Sequence, residues 1–296
     1  MKLVTYELND ESAIGAIKEG SLIVPLTAVA PNMLTLISKG EEGLMKADQY
    51  LLEDRPTIPL ENVNLLAPIP VPLRNIMCLG KNYAAHAAET QRAWDDKTEL
   101  PDYPLVFNKA TTTASGPYDD IPYDASISTA IDYEAELAIV IGRTVKNISR
   151  SEAMDVIFGY MVINDITARD MQRRHKQFFK GKSLDGHAPM GPWITTTDEI
   201  PDPHNLRVTC HVNNVLKQDD YTSKMIFDIP EIIAQLSLGM TLLPGDIIAT
   251  GTPSGVGFAR TPGDARGSGS RRHPPSRWLR PPGGPRRARR AGCSGG

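Results

Sequence analysis

Ile131-Asp-Tyr-Glu134-Ala-Glu136-Leu-Ala-Ile-Val-Ile-Gly142 is an apolar, β-branched run broken near its start by three acids. Its composition is that of a strand inside a sheet. Alternate side chains of a strand share a face, so Glu134 and Glu136 project together, about 6 to 7 Å apart along the chain. Tyr133, Ala135, Leu137, Ile139 and Ile141 point the other way. Two carboxylates side by side at the mouth of a buried strand repel each other and lose hydration, unless a cation or protons neutralise them.

A third carboxylate follows. Tyr160-Met-Val-Ile-Asn-Asp165 reads as a second buried strand with Asp165 at its carboxyl end, and Thr167 as the cap of a helix over 168–178. Ser151 reads as the N-cap of a short helix closed by Gly159. Three carboxylates without a paired His or Cys are hard oxygen donors. They suit Mg²⁺ or Mn²⁺, with Ca²⁺ as a further candidate, rather than structural zinc. The competing reading is that the two glutamates pair with Arg169, Arg173 or Lys182, and spacing alone leaves both open.

Other chemistry-bearing groups lie on either side. Arg74–Gly80 reads as a strand ending in Gly, and the Ala-rich stretch after it favours helix. His86 and Glu89, at i and i+3, then share a face. A carboxylate beside an imidazole fixes its tautomer and raises its basicity, which suits a general base, although most such pairs are solvated helix surface. Residues 179–193 read as a Gly/Pro-punctuated loop carrying Lys182, and Asn213-Asn214 as the turn of a hairpin. A helix is expected to begin near Asp228 with Pro230 in its first turn. The Gly-rich loop through Thr252 and Gly257 lacks the Gly-Lys-Ser/Thr of a phosphate loop, so nucleotide binding is rejected. Its N–H groups and the Thr252 hydroxyl can still hold a carboxylate.

The 296 residues are 41% hydrophobic, enough for one large or two smaller cores. The net charge of -3 conceals two unlike parts: residues 261–296 hold nine Arg, no Lys and one acid, hence +8, leaving -11 for the rest. An acidic body gives no support for nucleic-acid binding. No run is long and apolar enough for a membrane span, and three scattered cysteines argue for a reducing compartment, so a cytoplasmic protein is expected. Pro68, Pro70 and Pro72 favour an extended connection, which places a domain boundary there.

Taken together, six stretches in order resemble the fumarylacetoacetate hydrolase superfamily: 80–89, 132–137, 164–172, 181–183, 189–193 and 249–257. The resemblance implies an α+β, β-rich fold, a mixed β-sandwich roll over residues 67–260 preceded by a small N-terminal domain, 1–66, and usually a homodimer. It implies Mg²⁺ or Mn²⁺ on Glu134, Glu136 and Asp165. Gln172, Thr252 and Arg169 would lie around the substrate, with His86, Glu89 and Lys182 catalytic. It further implies a small 2-oxo acid as substrate, cleaved by acylpyruvate or fumarylpyruvate hydrolysis or by oxaloacetate decarboxylation through a stabilised enolate. A hydroxymuconate-type isomerase and a catalytically idle metabolite-binding member are the alternatives. The Arg/Gly/Pro-rich segment 261–296 departs from the family pattern and reads as a disordered, frameshifted terminus.

Overall fold

A computed structural model describes residues 1–94 and 102–260. The expected 261–296 tail lies outside the described residues. The N-terminal third contains β1 (Lys2–Leu8), β2 (Glu11–Lys18), β3 (Leu22–Pro25), α1 (Met33–Ser38), α2 (Gly40–Leu52), β4 (Ile58–Pro59) and β5 (Asn64–Leu65). Next come β6 (Ile76–Gly80), α3 (Ala84–Trp94), β7 (Leu105–Lys109), β8 (Ala114–Ser115), β9 (Ile131–Asp132), β10 (Ala135–Ile141), β11 (Ile157–Asn164) and β12 (Thr167–Ala168). The rest is α4 (Arg169–His175), α5 (Phe178–Lys182), β13 (Ala188–Thr196), β14 (Arg207–Val212), β15 (Val215–Tyr221), α6 (Ile229–Ser237) and β16 (Ile247–Ala249). The class is α+β and β-rich, as expected.

One mixed sheet organises these elements in the order β4-β3-β2-β1-β13-β11-β10-β16-β6-β7, with β5 also on β1 and β8 also on β13. Among the described residues only the β16–β6 and β13–β8 pairs are parallel. Pairing of β1 with β13, Leu3 opposite Ile194, carries the sheet across the 66/67 division. Central strands are apolar on both faces because both faces are covered. Ala138 and Val140 of β10, Ile76 and Cys78 of β6, and Ile247 and Ala249 of β16 share one core with Met33, Leu36 and Ile37 of α1. The alternate residues Ile139, Ile141, Met77, Leu79 and Ile248 pack in a second core with Ile229, Ile232, Ile233 and Leu236 of α6.

Local signals explain the edges of several elements. The Asp228 carboxylate accepts the Glu231 N–H at 2.9 Å and starts α6. Asn213 and Asn214 take φ of 52° and 64°, the left-handed pair that a two-residue hairpin turn requires, and they join β14 to β15.

Three expectations are corrected. Thr167 does not cap a helix over 168–178. Its hydroxyl donates to Asp165 O at 2.9 Å, Thr167 and Ala168 pair with β9, and the helix divides at Lys176, where φ is 61°. Residues 179–193 are not one loop: α5 runs to Lys182 and β13 begins at Ala188, its Gly191-Pro192 step absorbed by a break in register against β11. The cap of the turn before β11 is Ser149, not Ser151.

A Cβ on Gly159 would stand 2.4 Å from Thr195 O, so Gly159→Ala forces β11 and β13 apart. Its expected cost is about 1 to 3 kcal/mol. A lower urea midpoint at unchanged slope would show it.

Candidate functional site

Antiparallel register brings the acids together. Ala135 lies opposite Asn164, so Glu134 and Asp165 face each other just beyond the paired ends of β10 and β11. The Asp165 N–H donates to Glu134 O at 2.8 Å, and the Glu134 N–H to Asn164 Oδ1 at 2.9 Å. Glu136 follows two residues on. One oxygen from each of Glu134, Glu136 and Asp165 lies within 4.8 Å of the others, all three side chains being buried. The shared face anticipated for Glu134 and Glu136 is present.

The Gly-rich loop after β16 runs beside the start of β10. The Gly251 N–H donates to Glu136 Oε2 at 2.7 Å, and the Thr252 hydroxyl donates to Ala135 O at 2.9 Å while accepting from Gln218 Nε2 at 2.7 Å.

Cations surround two of the three acids. The Lys182 ammonium, 2% exposed, bridges Glu134 Oε2 and, at 2.7 Å, Asp165 Oδ2. Arg169 donates through Nη2 to Glu134 Oε1 at 2.6 Å and through Nε to Asp132 Oδ2 at 2.9 Å. Its Nη1 reaches Gln172 Oε1 at 3.2 Å, and its guanidinium lies over the Phe258 ring. Of the three pairings weighed, those of Glu134 with Arg169 and Lys182 are made alongside the acidic cluster, and among the described residues that with Arg173 is not. Among the described residues, no Lys, Arg or His forms an ion pair with Glu136; its bond is the neutral one from Gly251.

The charges follow these contacts. Burial, then the neighbouring Asp165 and Glu134 carboxylates, push the Glu136 carboxyl well above its ordinary value. Burial also opposes ionisation of Glu134, but Lys182 and Arg169 outweigh it and hold that carboxyl below the usual range. Burial works against the Lys182 ammonium, yet Asp165 and Glu134 raise its pKa, so it is charged at neutral pH. A buried carboxylate that only an N–H satisfies, beside two further hard oxygen donors, fits a divalent cation.

Glu134 and Glu136 line an open cleft together with His86, Arg169, Gln172, Lys182 and Thr252, with Phe107, Phe178 and Trp94 as apolar wall. His86 and Glu89 sit on α3 as expected, Nδ1 to Oε1 2.9 Å. Both Glu89 oxygens also accept the Gly255 N–H at 3.0 Å. Gly255 needs to be glycine: its φ is 108° and a Cβ would meet Lys217 O at 2.1 Å. Its carbonyl accepts the Tyr133 hydroxyl at 2.9 Å and Arg260 Nε at 3.2 Å, so one loop residue ties the dyad to the strand of the acids.

Sequence reasoning missed Lys109, fully buried, whose ammonium donates to Asp165 Oδ1 at 2.7 Å and Ile166 O at 3.1 Å. It assigned no role to Asp132, which accepts the Gly257 N–H at 2.7 Å as well as Arg169, nor to Gln218, which accepts the Ala135 N–H at 3.0 Å. A Lys ending the run Leu105-Val-Phe-Asn-Lys109 was the available signal.

A proton-carrying pair facing a buried acidic cluster is the equipment of an enzyme. The family described as Fumarylacetoacetate (FAA) hydrolase C-terminal matches residues 75–282, and the chain belongs to the fumarylacetoacetate hydrolase family, a family of enzymes. It is 42% identical over 280 residues to "Oxaloacetate tautomerase YisK" of Bacillus subtilis, covering 88% of this chain and 92% of that protein. A solved fumarylacetoacetate hydrolase from Exiguobacterium antarcticum is 40% identical with a TM-score of 0.76, covering 87% of this chain and 88% of the other. A maleylpyruvate hydrolase from Sphingobium sp. SYK-6, solved with manganese(II) and pyruvate, is 34% identical with a TM-score of 0.72, covering 87% and 90%.

Without metal, the upward displacement of Glu136 gives the fold a pH dependence. Its contribution to stability is fully present below the unfolded value near 4.5 and is lost as pH rises through the folded value. Glu134 is displaced downward and loses its contribution only below that window. In EDTA the melting temperature should therefore fall as pH rises above the unfolded value near 4.5, and Glu136→Gln should flatten the fall. Calorimetry over a pH series checks this; parallel curves for the two proteins would refute it.

Proposed function

We propose that this enzyme interconverts the keto and enol forms of a small 2-oxo dicarboxylic acid of the oxaloacetate class, with Mg²⁺ or Mn²⁺ held by Glu134, Glu136 and Asp165. The observation that carries the reading is a cluster of three buried carboxylates, two of which, Glu134 and Glu136, line one cleft with His86. The tautomerase name of the 42% identical relative supports it. So does manganese in the maleylpyruvate hydrolase structure. A bound divalent ion supplies a Lewis acid that favours negative charge on a keto oxygen.

The chain's own residues supply the rest. Interconversion moves one proton from the enol hydroxyl to the neighbouring carbon, or back, and consumes no water. The Glu89 carboxylate accepts from His86 Nδ1, which fixes the proton on that nitrogen and leaves Nε2 as the proton-carrying atom. The Lys182 ammonium balances negative charge developing at the cleft floor. Arg169 is spent on Asp132, Glu134 and Gln172, so its part in substrate binding runs through Gln172 and the shape of the cleft. The catalytic unit is assigned to residues 67–260, working as a cytoplasmic homodimer.

A second reading, hydrolysis of an acylpyruvate, is favoured by the same hydrolase structure, whose bound pyruvate is a 2-oxo acid. In that reaction His86 activates water against the distal carbonyl. Oxaloacetate decarboxylation would share the same electron sink.

Following the decay of enol oxaloacetate by ultraviolet absorbance, with pyruvate and CO₂ release and an acylpyruvate panel in parallel, separates the readings. Tautomerisation should be accelerated with Mn²⁺ and abolished by EDTA. Glu134→Ala should lose about 10³-fold or more and His86→Ala about 10² to 10⁴-fold. Product release without accelerated enol decay would replace the tautomerase reading with one of the other two.

A further inference from the structure

Each carboxylate of the cluster is held from behind by one oxygen. Arg169 Nη2 holds Glu134 Oε1 at 2.6 Å, the Gly251 N–H holds Glu136 Oε2 at 2.7 Å, and Lys109 Nζ holds Asp165 Oδ1 at 2.7 Å. The opposite oxygens of Glu134 and Asp165 both accept from the single Lys182 ammonium, so they face a common point. One oxygen from each side chain lies within 4.8 Å of the others. An ion bound through the Lys182-facing oxygens competes with that one ammonium, whereas chelation through both oxygens of Glu134 or Asp165 would compete in addition with the charge-assisted bond from Arg169 or Lys109.

We infer that Lys109 is a positioning residue that confines Asp165 to one inward oxygen, so that the cluster offers three single oxygens and discriminates against Ca²⁺ in favour of Mg²⁺ and Mn²⁺. This rests on the reading of the cluster as a divalent-ion site. Ca²⁺ takes six to eight oxygens and gains them readily from carboxylates that bind through both, whereas Mg²⁺ accepts six and keeps several waters. Three single oxygens leave positions open for water and a 2-oxo acid on a small octahedral ion, but leave Ca²⁺ short of protein donors.

Lys109 is suited to the task by its surroundings. It has no exposed surface, and its second bond, to Ile166 O at 3.1 Å, fixes the ammonium on the far side of Asp165. Of the two lysines on Asp165, Lys182 lines the cleft and Lys109 does not, so Lys109 acts through Asp165 rather than on substrate. A role limited to charge would make a different prediction. Loss of one positive charge alone shifts affinity for every divalent ion in the same direction, while loss of confinement changes the ratio between ions.

Calorimetric titration of the metal-stripped full-length protein with Mn²⁺, Mg²⁺ and Ca²⁺ reads that ratio directly. In Lys109→Met, Mn²⁺ affinity should fall about 10 to 100-fold, as for other residues that orient metal ligands. Ca²⁺ affinity should not fall, so that the Ca²⁺/Mn²⁺ affinity ratio rises about tenfold or more. Parallel changes for the three ions would overturn the inference. Should the variant not fold, a crystal structure of the wild-type protein with Mn²⁺ decides: one Asp165 oxygen on the ion supports the inference, and two overturn it. If none of the ions binds the wild-type protein, the reading of the cluster as a metal site falls, and this inference with it.

Discussion

Mutual repulsion among buried carboxylates is the constraint around which the rest of this structure is arranged. Asp132, Glu134, Glu136 and Asp165 are all buried, and so are Lys109, Arg169 and Lys182. Fully ionised, four negative charges meet three positive ones, a surplus of one that falls on Glu136, the acid without an ion-pair partner among the described residues. Adding a divalent cation would turn the surplus to one positive charge, which an anionic 2-oxo acid can then offset. Removing one partner from such a network leaves a desolvated charge, which costs far more than an exposed ion pair contributes. The same physics explains why Lys109, Arg169 and Lys182 each donate to these acids.

The sheet exists in the form that this constraint requires. Two antiparallel strands, β10 and β11, end side by side and deliver Glu134 opposite Asp165. The loop leaving β16 continues along the mouth of β10 and presents an N–H to Glu136. Because β6, β10 and β16 are covered on both faces, their ends have little freedom, and the oxygens they carry are held within one small volume. Preorganisation of this kind is what an enolate-stabilising site needs, since donors that need not move at the moment of reaction stabilise charge most.

Much of this was legible in the sequence, and for identifiable reasons. The acids interrupting Ile131–Gly142 conflicted with burial, and a conflict between local chemistry and fold is where function is expected. Asn213-Asn214 and Asp228 signalled turn and cap through their own backbone chemistry, and His86 with Glu89 through helical spacing. What escaped depended on partners distant in the chain. Lys109 reads as an ordinary strand-end lysine until Asp165, 56 residues later, is brought against it. The helix that carries Lys182 escaped because the Gly/Pro punctuation of 179–193 reads as loop, whereas Gly181 permits α5 to press onto Gln172 and Ala168, a Cβ there standing 2.6 Å from Gln172 N. Residues 11–18 form β2 between β1 and β3, a placement that depends on strands on both sides.

Gly255 joins parts of the chain that are synthesised far apart. Glu89 accepts its N–H across 166 residues. On a growing polypeptide the Glu89 carboxylate of α3 therefore lacks its Gly255 partner until the loop after β16 has left the ribosome. Chain elongation at roughly 5 to 20 residues per second makes that wait about 8 to 33 seconds. The Glu89–Gly255 contact thus forms late in synthesis although Glu89 itself is made early.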